Sequence, residues 1–374
     1  MAGSVFGDIF TCSTWGESHG KALGVVVDGC PAGIPLSEED FSEAMKRRSP
    51  GQTVYSTPRS EADEVEILSG VFEGKTTGTP ISLMIKNTSQ RSLDYSEVAG
   101  YYRPGHADYG FDAKYGFRDP RGGGRSSGRE TAARVAAGVI AEKFLSELGI
   151  STRAYVRQIG PHICEKNVYD ASAGDIPSLD VIEASPLRMP DPGVSKQAEE
   201  YLSGLMSEGD SSGGMIECIV RGVPAGVGDP VYKKLDALIG QALFSIGAVK
   251  GVEIGDGFKV ASAVGSENND SFIPSSDGVK KATNHAGGIL GGISDGSDIV
   301  LRAAFKPTPS ISKEQQTVNT SGEAVSISVK GRHDPIIVPR AVVVVESVVN
   351  LVLADRLLVG MGSQIERVKE FYSK

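Results

Sequence analysis

The chain has little cysteine, no long apolar run and no excess of positive charge. Four Cys (Cys12, Cys30, Cys164, Cys218) lie far apart with no Cys-x-x-Cys pair, the pattern of reduced thiols rather than of a disulfide framework. The longest purely apolar run, Ala341 to Val345, is far short of the ~20 residues a membrane helix needs, so no membrane partner is expected. The first residues, Met1 to Gly7, show neither a basic segment followed by an apolar stretch nor an Arg/Ser-rich transit segment, and a cytoplasmic location is expected. A net charge of −9 argues against a general nucleic-acid surface. His-Glu-x-x-His and Cys/His clusters are missing, so no metal site is expected.

Glycine is abundant instead. Gly occupies 47 of 374 positions, about one in eight, against the usual ~7%. No Gly-X-Y period accompanies it, and 40% of residues are hydrophobic, so a packed core forms and collagen and global disorder are excluded. Such an excess marks turns, or backbone that a ligand approaches closely.

A weak internal repeat gives the glycines an order. Ser18–Ile34 aligns with Ser211–Val227 at 7 of 17 positions, and each copy reads as a strand stopped by a Gly-x-Pro-Ala-Gly turn. Each is followed by helix-start signals: Ser37 with Glu38, Glu39 and Asp40 in the first copy, Asp229-Pro230 in the second. Chance similarity in Gly-rich sequence competes with a duplicated α+β fold whose halves fall at about 1–150 and 205–374 of a single domain spanning 1–374. Copy one has His19 where copy two has Ser212, which favours a chemical role for His19 over a purely structural one. Further along, Ser127-Gly128-Arg129-Glu130 reads as a capping box opening a helix that ends at Gly149, and Pro339 opens an apolar helix to about Leu358. Glu346, Asn350 and Asp355 recur along that helix at near-helical spacing. Residues 170–196 and 268–278 read as loops.

Four segments carry the residue types of chemistry. Gly16-Glu17-Ser18-His19-Gly20 presents a titratable ring between Ser and Gly, suited to proton transfer; a structural His is the competing reading. Arg103-Pro104-Gly105-His106-Ala107-Asp108 is a rigid turn in which Asp108 can orient His106 and Arg103 can hold an anion. Arg118 to Arg129 joins glycines, arginines and hydroxyls to a helix start, a setting for phosphate that is neither a P-loop nor a Rossmann fingerprint. Lys306-Pro307-Thr308-Pro309-Ser310 is a second anion cradle, followed by Gly331-Arg332-His333-Asp334-Pro335. The glycines of Asn284 to Gly292 leave room for a flat ligand.

Taken together these segments resemble the chorismate synthase family along the whole chain. Gly16–Gly20 with Asp28–Gly33, Arg125–Thr131, and Arg332–Pro335 with Glu346-Ser347 match three signatures in order, and Arg103–Asp108 agrees. The resemblance implies a β-α-β sandwich, with antiparallel sheets outside and helices between, assembled as a homotetramer. It also implies a lyase that forms chorismate and phosphate from 5-enolpyruvylshikimate 3-phosphate by anti-elimination. The family requires reduced FMN without net redox change, with NADPH as an electron source in some members and an external flavin reductase as the expected partner here.

Carried over by residue, FMN contacts fall at Arg125, Ser126, Ser127, Gly247, Ala248, Gly291, Lys306, Pro307, Thr308, Pro309, Ser310 and Arg332. His19 protonates reduced flavin, His106 protonates the departing phosphate, and Asp334 with Ser18 assists removal of a flavin ring proton. Arg48, Arg129 and Arg134 are the substrate-binding candidates, and Arg48 also the NADPH contact. Two positions depart from the family pattern: Gly247, where many members have Asn, and Val54, where many have Arg. The competing readings are an FMN-dependent oxidoreductase with net hydride transfer and a non-catalytic phosphate-binding module.

Overall fold

The computed structural model describes residues 3–56, 63–88, 97–120, 122–164, 176–276, 278–329 and 334–373. Two five-stranded antiparallel sheets form its outer layers. The first contains β1 (Val5–Phe6), β2 (Thr11–Gly16), β3 (Ala22–Asp28), β4 (Val65–Ile67) and β5 (Ile81–Lys86), in the spatial order β1-β2-β3-β5-β4. The second contains β6 (Ser151–Ile159), β7 (His162–Ile163), β8 (Gly214–Arg221), β9 (Val249–Ile254) and β10 (Ile299–Phe305), in the order β9-β10-β8-β6-β7. The principal helices are α1 (Ser42–Arg48), α2 (Asp108–Tyr115), α3 (Thr131–Glu147), α4 (Pro192–Ser207), α5 (Leu235–Phe244) and α6 (Val338–Gly360).

The strand periodicity explains the layering. In β5, Ile81, Leu83 and Ile85 are fully buried while Ser82 and Met84 between them are not. Such a sheet has one face to cover, and helices cover it. α3 lies on β3 and β5, α6 lies on β6 and β8, and the two helices cross each other in the middle layer. α3 comes close because Ala132, Ala133, Ala136, Ala137 and Ala141 form its buried side. At the crossing a Cβ on Gly138 would lie only 2.3 Å from the Ser347 Cβ.

α6 is buried along nearly its whole length, so its polar groups are all engaged. The Glu346 carboxylate accepts from Arg47 Nη1 (2.7 Å) and from the Ala154 amide (2.8 Å). Asn350 Oδ1 accepts from Thr152 Oγ1 at 2.6 Å. Asp355 Oδ1 accepts from the backbone N–H groups of Asp8, Ile9 and Phe10 at 3.0, 2.7 and 3.1 Å. This mixed fold of helices between antiparallel sheets is the one the resemblance implied.

The two sheets share a topology, the second drawing on Ser151–Ile159, which precedes the expected second half at 205–374. In the first sheet the chain runs β2, β3, α1, β4, β5, α3, with strand order β2-β3-β5-β4. In the second, β6, β8, α5, β9, β10 and α6 follow the same sequence, with β7 and α4 inserted between β6 and β8, and the strand order is β6-β8-β10-β9. The same contacts hold both turns. Thr76 Oγ1 donates to the Pro31 carbonyl (2.7 Å) and accepts from the Ile34 N–H (3.0 Å). Ser294 Oγ does likewise with the Pro224 carbonyl (2.6 Å) and the Val227 N–H (2.9 Å), and these partners are the aligned residues. Gly29 and Gly222 both have positive φ (77° and 88°), and a Cβ there would lie 1.9 Å from the Ile9 carbonyl oxygen or 2.5 Å from that of Gly149.

Three local expectations are corrected. Much of 170–196 is helical: Leu179–Glu183 forms a short helix, and Asp191 caps α4 by accepting from Gly193 and Val194 N–H groups, with Pro192 at the first helical position. Residues 170–175 lie outside the described residues. The 268–278 stretch contributes to a hairpin, Phe272–Ser275 against Gly278–Lys281. Ser127 does cap a helical turn, accepting from Arg129 N–H at 3.2 Å, but Glu130 turns to Arg134 (3.0 Å) instead of completing a capping box.

Candidate active site

The described members of the four segments meet through one run of contacts. Ser18 and His19 follow β2, and Ser18 Oγ lies 3.1 Å from His19 Nδ1. The loop before α3 closes over them: a Cβ on Gly122 would sit 2.6 Å from His19 Cε1 and 3.2 Å from Ser18 Oγ. Arg125 fixes that loop to the first sheet, donating from Nη1 to the Gly16 carbonyl (3.0 Å) and from Nη2 to Thr14 Oγ1 (2.6 Å). Ser126 Oγ donates to the Gly123 carbonyl at 2.7 Å.

From Ser126 the path crosses to the second half. A Cβ on Gly247 would lie 4.0 Å from the Ser126 carbonyl oxygen. Ala248 adopts φ +74°, a conformation costly for a residue with a Cβ, and its carbonyl accepts from the Lys306 N–H at 2.9 Å. Lys306 Nζ donates to the Gly105 carbonyl (3.1 Å), and a Cβ on Gly105 would lie 2.8 Å from the Pro309 Cβ. Burial, with Lys250 nearby, lowers the Lys306 pKa. His106 Nε2 lies 2.8 Å from Ser310 Oγ. Thr308 Oγ1 is buried without a hydrogen-bond partner among the described residues.

Beside this path lies a cluster of charge. Arg48 ends α1 and Arg129 precedes α3, and both meet the Asp63 carboxylate. Burial pulls the Arg48 pKa down, Asp63 opposes that, and nearby Arg129 and Arg340 add to it. Burial alone would raise the Asp63 pKa, but the two arginines outweigh it and hold the group ionised. Arg340, in the first turn of α6, pairs with Asp334.

Some assignments fare differently. Asp108 does not orient His106: both its oxygens are taken by Arg103, from Nε at 2.8 Å and Nη2 at 2.7 Å, and this pair holds the Asp108 pKa down against burial. Neither Arg103 as an anion holder nor Asp108 as an imidazole partner stands. Arg134 is engaged by Glu130 and, through Nη1, by Ser245 Oγ at 2.6 Å, so it ties the segment before Ala248 to α3. Gly291 has φ +63° and belongs to the turn joining Ile289–Leu290 to Ile293–Ser294, whose neighbour Gly292 lies against Asp229 and Lys234. Arg332 lies outside the described residues. Val54 is largely exposed. Sequence reasoning missed Asp63, Asn87, which accepts from Arg129 Nε at 2.9 Å, and Arg340. Arg340 had a signal, standing one residue after Pro339 in the third motif segment; Asp63, in the acidic stretch Glu61-Ala62-Asp63-Glu64, had none.

Two imidazoles, an arginine cluster and a hydroxyl-rich cradle thus share one region of an α+β scaffold. The chorismate synthase family model matches residues 10–358. The chorismate synthase of Lachnoclostridium phytofermentans is 63% identical over the full length of both chains, and that of Methanosarcina mazei is 54% identical over 96% of this chain and 97% of its own. A crystal structure of a chorismate synthase superposes with a TM-score of 0.76 at 35% identity, covering 98% of this chain and 97% of the other. The chain belongs to the chorismate synthase family. It is accordingly an enzyme, a shikimate-pathway lyase acting on a small molecule. Among the described residues no helix is long and apolar enough to cross a membrane.

Proposed function

We propose that this enzyme converts 5-enolpyruvylshikimate 3-phosphate to chorismate and phosphate by anti-elimination with reduced FMN. The C–O bond to phosphate and a ring C–H bond break, a C=C bond forms, and no net reduction occurs. The observation that carries the reading is the gathering of His19, Arg125–Ser127, Gly247–Ala248, Lys306–Ser310 and His106 in one region, linked by hydrogen bonds and close approaches on either side of Gly247.

The residues suit a flavin phosphate. The orphaned Thr308 hydroxyl, Ser310 and the Lys306 ammonium stand together on a Pro-stiffened turn, and Arg125 is already committed to holding the neighbouring loop. When bound, reduced FMN supplies an electron transiently and takes it back. Arg48 and Arg129, with Arg340 beside them, offer the charge for the substrate's carboxylates and phosphate. His106, with Ser310 at its Nε2, is the proton donor to the departing phosphate, lowering the cost of expelling a multiply charged group. His19 is the second proton carrier, its Nδ1 held by Ser18, and Asp334 with Arg340 completes the set as the carboxylate that assists proton removal. In this reading the flavin is reduced by a separate reductase, and the exposed Val54 gives NADPH no cationic partner at that position.

The test is an anaerobic assay of purified protein with the phosphorylated enolpyruvyl substrate. Chorismate is expected to form with catalytic, not stoichiometric, reduced FMN. Consumption of one reductant per turnover would mean net hydride transfer and overturn the lyase reading; no product at all would leave a phosphate-binding module.

A further inference from the structure

Asp63 joins three elements at the edge of the site. Its side chain is fully buried. Oδ2 accepts from Arg48 Nε (3.1 Å), Arg48 Nη2 (2.7 Å) and Ser49 Oγ (2.8 Å), while Oδ1 accepts from Arg129 Nη1. Arg48 closes α1, Arg129 precedes α3, and Asp63 stands two residues before β4 with φ +50°, so its backbone is held in a conformation that few non-glycine residues adopt.

Two buried guanidinium groups repel each other, and one carboxylate with an oxygen for each holds them together and fixes their directions. The Gly128 carbonyl also accepts from Arg48, and Asn87 Oδ1 and the Lys86 carbonyl accept from Arg129. We propose that Asp63 is a positioning residue: it sets the spacing and aim of Arg48 and Arg129 toward the anionic groups of the substrate. This rests on the reading that these arginines bind substrate.

The sign of the effect makes the proposal testable. Removing a negative charge beside an anion seat strengthens anion binding if charge alone matters. Losing the geometry weakens it. Asp63→Asn keeps size and tolerates the positive φ. In the anaerobic assay its KM for substrate is expected to rise about tenfold, with kcat within about twofold of wild type, as for loss of hydrogen bonds to a charged group. An unchanged or lowered KM overturns the proposal, as does a fall in kcat with KM unchanged, the mark of a purely structural role. If Asp63→Asn does not fold, Ser49→Ala removes one of the carboxylate's donors, and a KM rise of about threefold is expected; no rise overturns the proposal. A wild-type protein that makes no chorismate overturns the functional reading and this inference with it, whereas normal wild-type turnover with an unaltered variant KM overturns the inference alone.

Discussion

The two halves of the molecule carry sheets of one topology, and their aligned turns present different residues. In the first half Ser18 faces His19, and the ring points to the glycine loop before α3. In the second the aligned Ser212 is buried, its N–H donating to the Pro335 carbonyl at 2.9 Å, and Ser211 Oγ donates to the Thr308 carbonyl at 2.7 Å. One copy of the turn presents a titratable group. The other holds in place the cradle that contains Thr308 and the residue next to Asp334.

Five substitutions, in three sets, would break or sharpen this contrast. The largest effect is expected for His19→Ser, which gives the first turn the residue of the second. Turnover should fall about 10²-fold, the scale of a lost general acid–base group, while thermal unfolding stays near wild type. A variant of normal rate would show that the halves do not differ chemically here. Next come Gly29→Ala and Gly222→Ala, measured by denaturant unfolding. Each should cost about 2–3 kcal/mol, since positive φ and a nearby carbonyl both oppose a Cβ, and the closer 1.9 Å approach makes Gly29 the worse of the two. A tolerated alanine at either site would mean that the equivalence is only topological. The smallest effect belongs to the hydroxyl clamps. Thr76→Val and Ser294→Ala each leave a buried N–H and a carbonyl unpaired and should cost about 1.5 kcal/mol, to a similar degree in both halves. Widely different losses would show that one turn alone bears on stability.

The parts legible in the sequence are those written in local spacing. Glu346, Asn350 and Asp355 marked a helix despite its valines, because polar residues on a buried helix must recur where partners can reach them. The Gly-x-Pro-Ala-Gly turns marked the repeat, because only glycine meets their backbone demands. Residues 176–196 misled because Asp191-Pro192 serves equally as a turn or as a helix start, and tertiary burial of Ala198 and Leu202 decided for the helix. His19 and His106 stood out as candidates because of their turn settings. Arg103 and Asp108 were misassigned because sequence proximity says nothing about which neighbour a carboxylate chooses, and a bidentate arginine outcompetes an imidazole. Asp63 is invisible in sequence because its role exists only where α1, β4 and the start of α3 converge.

Asp355 binds three consecutive amides near the beginning of the chain from a helix near its end. Synthesis proceeds from the N-terminus, so residues 8–10 emerge hundreds of residues before their acceptor does. The junction between β1 and β2 therefore reaches its final hydrogen bonding only after Asp355 has left the ribosome, and until then the first sheet has its strands but not the anchor for its leading edge.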